Sequence, residues 1–283
     1  MSKGSLIKET PYSEITATLE VLDYYEVTRE HFARIRSDVD YAKLVTKCML
    51  SDGTHDPIHD KLVRAVMGKN FWGIEDWLYY SLIKEFLTKE QRRKVVDFPW
   101  WDNDTLNSPC PFHSGKLVKD THFAFLGISG INGQPLTVAK WLKLYPGNGQ
   151  PKFYFDTDPW HVGQPHTDVV TMQLRWYLML KDIVPGSTSK TPEEQVAMLP
   201  EGYEVPTTIM EVTKDILVFC KTGERPNGSR WAACTERTVE TDKVSAGRVS
   251  CVGCFNESGL SVNRWHGDHS DNVGLGASRM PGK

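Results

Sequence analysis

Two periodicities divide this chain. Through its first third, apolar residues recur every three or four positions, which is the spacing of one helix face. Ser13 precedes a stretch, 14–26, in which Ile15, Leu19 and Leu22 fall on one side, so a serine-capped helix is expected there. Thr28 opens a longer amphipathic stretch through Leu50, with Phe32, Ile35, Leu44, Val45 and Cys48 at helical spacing. Asp56-Pro57 has the form of a cap followed by proline at the first helical position, with Ile58, Leu62, Ala65 and Val66 behind it. Thr88-Lys89-Glu90-Gln91 is a capping box.

Near Pro99 the texture changes. Pro99-Trp100-Trp101-Asp102-Asn103-Asp104 and Asn107-Ser108-Pro109-Cys110-Pro111 read as loops. Short strand-like runs follow over 121–128, 152–155, 169–180, 207–212 and 216–220. One helix interrupts them over 192–199, capped by Thr191 and stopped by Pro200. The pattern predicts the α+β class, with a helical N-terminal region over 1–97 and an irregular domain over 98–283.

The last sixty residues have a third texture. From Arg230 to Arg279 aromatics and glycines punctuate the chain and lysine is nearly absent. Val252, Phe255, Leu260, Val262, Trp265, Val273 and Leu275 are spaced as apolar anchors, and no aliphatic residue occurs from His266 to Asn272. In Leu260-Ser261-Val262-Asn263 strand alternation sends Leu260 and Val262 inward and Ser261 and Asn263 outward. A rigid scaffold that displays a binding surface needs this division between anchors and free positions.

Composition narrows the function classes. Over 283 residues the chain is 40% hydrophobic and 24% charged, ordinary values for a folded protein. Its net charge of −3 supplies no field for nucleic acid, which is therefore not an expected partner. No apolar run is long enough for a membrane span, and Met1-Ser2-Lys3-Gly4 leads into no signal core, so a cytoplasmic protein is expected. Six cysteines (Cys48, Cys110, Cys220, Cys234, Cys251 and Cys254) without a secretory signal read as free thiols.

Two constellations suggest chemistry. Cys251-x2-Cys254 followed by His266-x2-His269 approaches a Cys2His2 zinc pattern. The histidine spacing is one residue short and no amphipathic helix presents the pair, so unrelated residues on a polar surface are the preferred reading. His166-x-Asp168, with His266 or His269 and Arg279 downstream, follows the order of iron/2-oxoglutarate oxygenases, which is kept as the alternative function. A His-x-Asp pair is more often a solvated loop. Nucleophile elbows, phosphate loops and dinucleotide fingerprints are missing. No catalytic residue, metal or cofactor is expected.

A resemblance adds to this reading. Gly68-Lys69-Asn70-Phe71-Trp72-Gly73-Ile74-Glu75, Lys119-Asp120-Thr121-His122, Ser187-Thr188-Ser189-Lys190-Thr191, Thr222-Gly223-Glu224-Arg225 and the block from Arg248 to Arg279 resemble variable proteins of diversity-generating retroelements. The likeness is to the soluble members from small uncultivated prokaryotes and runs in order over 28–279. It implies a C-type-lectin-type domain with short antiparallel strands over 98–283, and a variable region near 248–279 rewritten by adenine-directed reverse transcription. By the same resemblance the changing positions are Cys254, Asn256, Ser258, Ser261 and Asn263, then the loop from Arg264 through Trp265 (its fixed aromatic), His266, His269, Ser270 and Asp271 to Asn272. An extra residue is expected at Ser250-Cys251, and Glu257 reads as fixed because it does not arise from a pyrimidine-ending asparagine codon. Gln134-Pro135-Leu136 and Gln164-Pro165-His166 lack the family's calcium–sugar pattern. The implied function is non-enzymatic binding of an unknown macromolecule, foremost a protein, with Arg264, Trp265, His266 and His269 as anchors.

Overall fold

The computed structural model describes residues 11–281 apart from 25–26, 51–57, 81–86, 96, 101–102, 147–149 and 155–159. The Asp56-Pro57 cap, Trp101-Asp102 and the 156–159 segment lie outside the described residues. The chain divides into two compact units, Met1–His55 and Asp56–Lys283.

The first unit is helical: Tyr12–Tyr24, Arg29–Ser37 and Val39–Leu50. The stretch expected to run unbroken from Thr28 to Leu50 is interrupted at Asp38, whose backbone is extended. Its carboxylate accepts from the amides of Asp40 at 3.1 Å and Tyr41 at 2.9 Å. Asp38 thus starts the third of these helices, Val39–Leu50, by satisfying amides that have no partner within the helix.

The second unit begins earlier than residue 98, where the change of texture placed the boundary. Helix Ile58–Met67 contributes Val63 and Met67 to a cluster with Phe71, Val95, Phe98, Ala124, Leu126, Trp176 and Leu178. Val63, Met67, Phe71, Val95 and Phe98 therefore belong to the core of this unit. At residues 88–91 the expected box is present, with Gln91 Oε1 accepting from the Thr88 amide at 2.9 Å and Thr88 Oγ1 from the Gln91 amide at 3.2 Å.

The unit is mixed α/β, built of short strands and helices. The strands are β1 (Phe71–Trp72), β2 (His122–Leu126), β3 (Gly130–Ile131), β4 (Gln134–Pro135), β5 (Trp176–Leu180) and β6 (Tyr203–Glu204). They continue with β7 (Trp231–Arg237), β8 (Val249–Asn256), β9 (Gly259–Trp265), β10 (Val273–Leu275) and β11 (Ser278–Arg279). One sheet has the order β1-β2-β5-β11-β6, a second β10-β7-β8-β9, and β3 and β4 form a hairpin. The β1–β2 and β7–β10 pairs are parallel and the others antiparallel.

Strands β2 and β5 are buried at every position because both faces of the first sheet are covered. Phe123, Phe125, Tyr177 and Met179 face the main core, while Ala124, Leu126, Trp176 and Leu178 face the cluster under Ile58–Met67. The expected strand over 169–180 is confined to β5, and 165–168 forms a helical turn, Pro165–Asp168. The 152–155 run contributes a single bridge from Phe153 to Leu260.

The largest departure lies at 207–220. Two strands are expected there, and the chain instead forms one helix, Thr208–Thr222, ended by Gly223 in the left-handed region at φ 73°. Every residue from Thr208 to Val218 is buried. Its one charged stripe, Glu211, Lys214 and Asp215, is buried with the rest, so no exposed polar face sets this stretch apart. Thr208, Ile209, Val212, Thr213, Ile216 and Val218 are β-branched and carry a strand bias that tertiary packing overrides. The helix packs on β2 of the first sheet and on β7, β8 and β9 of the second.

Three charged residues ride in this helix. Lys214 donates to Leu180 O at 3.2 Å, to Lys181 O at 2.7 Å and to Glu211 Oε1. Those bonds use its three protons and leave Asp215 Oδ1 an ionic contact at 3.2 Å. Burial alone would depress the Lys214 ammonium, but Asp215 and Glu211 beside it hold its pKa above the usual lysine range. Burial pushes Asp215 well up despite Lys214, whose hydrogen-bonded carboxylate partner is Glu211. Replacing Lys214→Met strands Glu211 as an uncompensated buried charge, and urea denaturation should show a loss of about 3–5 kcal/mol. Asp215→Asn should cost far less, and equal losses from the two would contradict this assignment.

Candidate functional site

The β8–β9 hairpin and the loop that follows it carry most of the expected binding positions. Asn256 pairs with Gly259 across the turn, and Asn256 Oδ1 accepts from the Ser258 amide at 2.8 Å, the side-chain turn that asparagine supplies. Leu260 is fully buried and Val262 is 6% exposed, whereas Ser261 and Asn263 are half-buried on the opposite side of β9. The alternation expected from the sequence is present.

A bulge in β8 sets which of its residues face the core. The register shifts between Gly253 and Asn256, with Gly253 at φ 148° and Cys254 at φ 47°. Val252 and Phe255 lie three positions apart, so an unbroken strand would aim them at opposite faces. The bulge restores both to the main core. Ser250, Cys251 and Val252 pair regularly with Arg264, Asn263 and Val262. Cys254 is half-buried in a left-handed conformation that disfavours most side chains. At Gly259, φ 125°, an added Cβ would lie 2.5 Å from the Tyr154 amide nitrogen, so only glycine lets 152–154 pass so close.

Trp265 and the loop behind it follow a different plan. Trp265 shares the outward parity of Ser261 and Asn263 but is only 5% exposed, packed with Ala233, Val249, Cys251 and Val273. Its indole donates to Asp268 O at 2.9 Å and Asp268 Oδ1 at 3.1 Å. The loop is further tied through its main chain: Ser189 N donates to Ser270 O at 2.6 Å and Trp231 N to Asn272 O at 2.9 Å. His266, Asp268, His269, Asp271 and Asn272 are exposed, and Ser270 is half-buried with its hydroxyl on Asn272 Oδ1 at 2.7 Å. Asn256, Glu257 and Ser258 are exposed at the hairpin tip.

Arg264 is placed apart from its neighbours. It has the parity of Leu260 and Val262, and its guanidinium lies 5.0 Å from the Trp160 ring centroid. The Trp160 indole in turn donates to Val262 O at 3.1 Å, which fixes that ring along β9. Of the four expected anchors, only His266 and His269 have exposed side chains. His269 Nε2 is 3.8 Å from Glu194 Oε2, with both side chains mostly in water, where such a pair contributes little.

Two residues, Ser187 and Gln195, hold this site through bonds that the sequence does not signal. Ser187 Oγ accepts from Leu275 N at 2.9 Å and donates to Val184 O at 2.6 Å. Gln195 Nε2 bridges Ser187 O at 2.9 Å and Val273 O at 3.0 Å. The Ser187–Thr191 motif is thereby a strut for β10 and the loop, and no spacing in the sequence signals a bond across that separation.

Neither chemical constellation is assembled as a ligand set. Among the described residues no group of three or more His, Cys, Asp or Glu side chains is arranged to hold a metal ion. Cys251 is buried in the sheet, where burial raises its thiol pKa and opposes the thiolate that zinc needs. His161 and His166 are buried, with Nδ1 of the first and Nε2 of the second unpartnered among the described residues, and Asp168 is exposed and accepts from the Gly163 amide at 2.9 Å. Gln164 between them exchanges two hydrogen bonds with the Val239 backbone, at 3.1 and 2.9 Å, which pins the turn against 238–239. Compared with known protein families, with characterised proteins and with solved structures, the chain finds no match.

Removing a hairpin anchor should differ sharply from removing a free position. Leu260→Ala should lose about 2–5 kcal/mol through cavity formation, and Ser261→Ala and Asn263→Ala should stay within about 0.5 kcal/mol, all read by chemical denaturation. The buried imidazoles make a separate prediction. Burial lowers the pKa of His161 from 6.5 to about 4 against the pull of Asp168, and lowers His166 against Glu236 and Asp168. Both are depressed, so their contribution is full above 6.5 and is lost as pH falls, for His161 through about 4. His161 alone accounts for a loss on the order of 3 kcal/mol. Stability measured against pH should flatten over that interval in a His161→Gln, His166→Gln variant.

Proposed function

We propose that this chain is a non-catalytic ligand-binding protein of the diversity-generating-retroelement type, with a C-type-lectin-type domain and a C-terminal surface rewritten from clone to clone. The supporting observation is the separation of two residue sets within one short segment. Val252, Phe255, Leu260, Val262, Trp265, Val273 and Leu275 are buried. Asn256, Ser258, His266, His269, Asp271 and Asn272 are exposed, and Cys254, Ser261, Asn263 and Ser270 are half-buried between them. Exchange at the second set leaves the first set's packing intact.

The ligand is a macromolecule, foremost a protein. His266 and His269 present imidazole rings beside the carboxylate and amide groups of Asp268, Asp271 and Asn272, a polar surface suited to varied hydrogen bonding. Trp265 supports this surface from beneath, and Arg264 extends it around the β9 edge over Trp160. The reading needs no cofactor and no metal. Among the described residues no helix is long and apolar enough to cross a membrane.

A genetic observation tests the reading without knowledge of the ligand. A near-duplicate of the codons for residues 248–279 should lie beside a reverse-transcriptase gene, and the two copies should differ mainly at template adenines. Those differences should fall on the exposed and half-buried set and spare the codons of Leu260, Val262 and Phe255. An isolated gene with no second copy and no adjacent reverse transcriptase would remove the diversification claim.

A further inference from the structure

The first unit leaves opposite charges and apolar stripes unmatched. Helix Tyr12–Tyr24 carries Glu14, Glu20 and Asp23 and no basic residue. None of these carboxylates has a side-chain partner among the described residues. Every residue from Tyr12 to Glu20 is exposed, including Ile15 at 39% and Leu19 at 46%, the residues that form its apolar stripe. Helix Arg29–Ser37 has the opposite sign, with Arg29, Arg34 and Arg36 against Glu30. It too buries no residue, and its apolar Phe32 and Ile35 are only half-buried. Arg34 is engaged by Asp38 at 3.4 Å and by the Tyr41 ring, while Arg29 and Arg36 have no partner among the described residues.

A 13-residue helix is marginal in water unless something covers its apolar stripe. The cover it requires is apolar and basic, and the cover its neighbour requires is apolar and acidic. We propose that the first unit pairs two copies of this chain, with the acidic helix Tyr12–Tyr24 of one copy lying on the basic helix Arg29–Ser37 of the other, twice over about a two-fold axis. A self-complementary exchange satisfies both helices of both copies with one repeated contact. A foreign partner would have to supply both kinds of surface at once. This pairing does not depend on what the second unit binds.

Charge reversal in two halves tests the pairing by sedimentation of the full chain. One variant carries Glu14→Lys, Glu20→Lys and Asp23→Lys; the other carries Arg29→Glu and Arg36→Glu, sparing Arg34 for its contacts with Asp38 and Tyr41. The unaltered chain should sediment at twice the monomer mass and shift toward monomer with added salt. Each variant alone should be monomeric, since its helices then meet like charges. An equimolar mixture of the two should recover the doubled mass, because each reversed helix finds its complement in the other chain. A monomeric unaltered chain overturns the proposal. So do variants that each remain dimeric, which would point to another surface, and a mixture that stays monomeric, which would point to pairing within one chain or with a foreign partner.

Discussion

Burial of a single helix decides what the rest of the second unit is free to do. Thr208–Thr222 packs on β2 of one sheet and on β7, β8 and β9 of the other, and its first eleven residues are buried. Its side chains join Phe123, Phe125, Tyr177 and Met179 from the first sheet to Val252, Phe255, Leu260 and Val262 from the hairpin in one apolar cluster. Much of the hydrophobic free energy of the hairpin therefore comes from this inner face, at roughly 25 cal/mol per Å² of apolar surface removed from water, while Val249, Cys251 and Trp265 pack a smaller cluster on the other face. The charged residues in the helix are tolerated because Lys214 finds two carbonyls and a carboxylate in place. With folding carried by these buried residues, the exposed positions between them are released from that duty.

The variable-looking loop obeys the same logic by other means. It has no inner face of its own, so it is held by backbone bonds to Ser189 and Trp231 and by the Trp265 indole on Asp268. Bonds to main-chain atoms survive a change of side chain. His266, His269 and Asp271 can be exchanged without breaking any of them. Asp268 is a partial exception, since its carboxylate also receives the indole. Cys254 is another, because its left-handed backbone favours glycine or asparagine over most replacements.

Much of the hairpin was legible in the sequence because strand alternation reports directly on burial. Leu260 and Val262 are inside and Ser261 and Asn263 are not, as their order suggests. The helical capping box at Thr88 and the short helix after Thr191 were equally readable, since caps are local chemistry. Three things were not. The Thr208–Thr222 helix is rich in β-branched residues and buries Glu211, Lys214 and Asp215, so its local signals point to strands. The domain boundary is hidden because Val63 and Met67 show helical spacing whether they pack on Trp176 or elsewhere. The seating of Arg264 over the Trp160 ring is a long-range placement that neighbouring residues do not encode.

The central claim is that folding is carried by residues outside the exchangeable face. It is tested most directly by randomising Asn256, Ser258, Ser261, Asn263, His266, His269, Asp271 and Asn272 together and measuring resistance to proteolysis across the library as denaturant rises. The account predicts that most members resist cleavage up to nearly the same denaturant concentration as the parent, whatever side chains they carry. If the majority are cleaved without denaturant, these positions hold the fold together and the account is wrong.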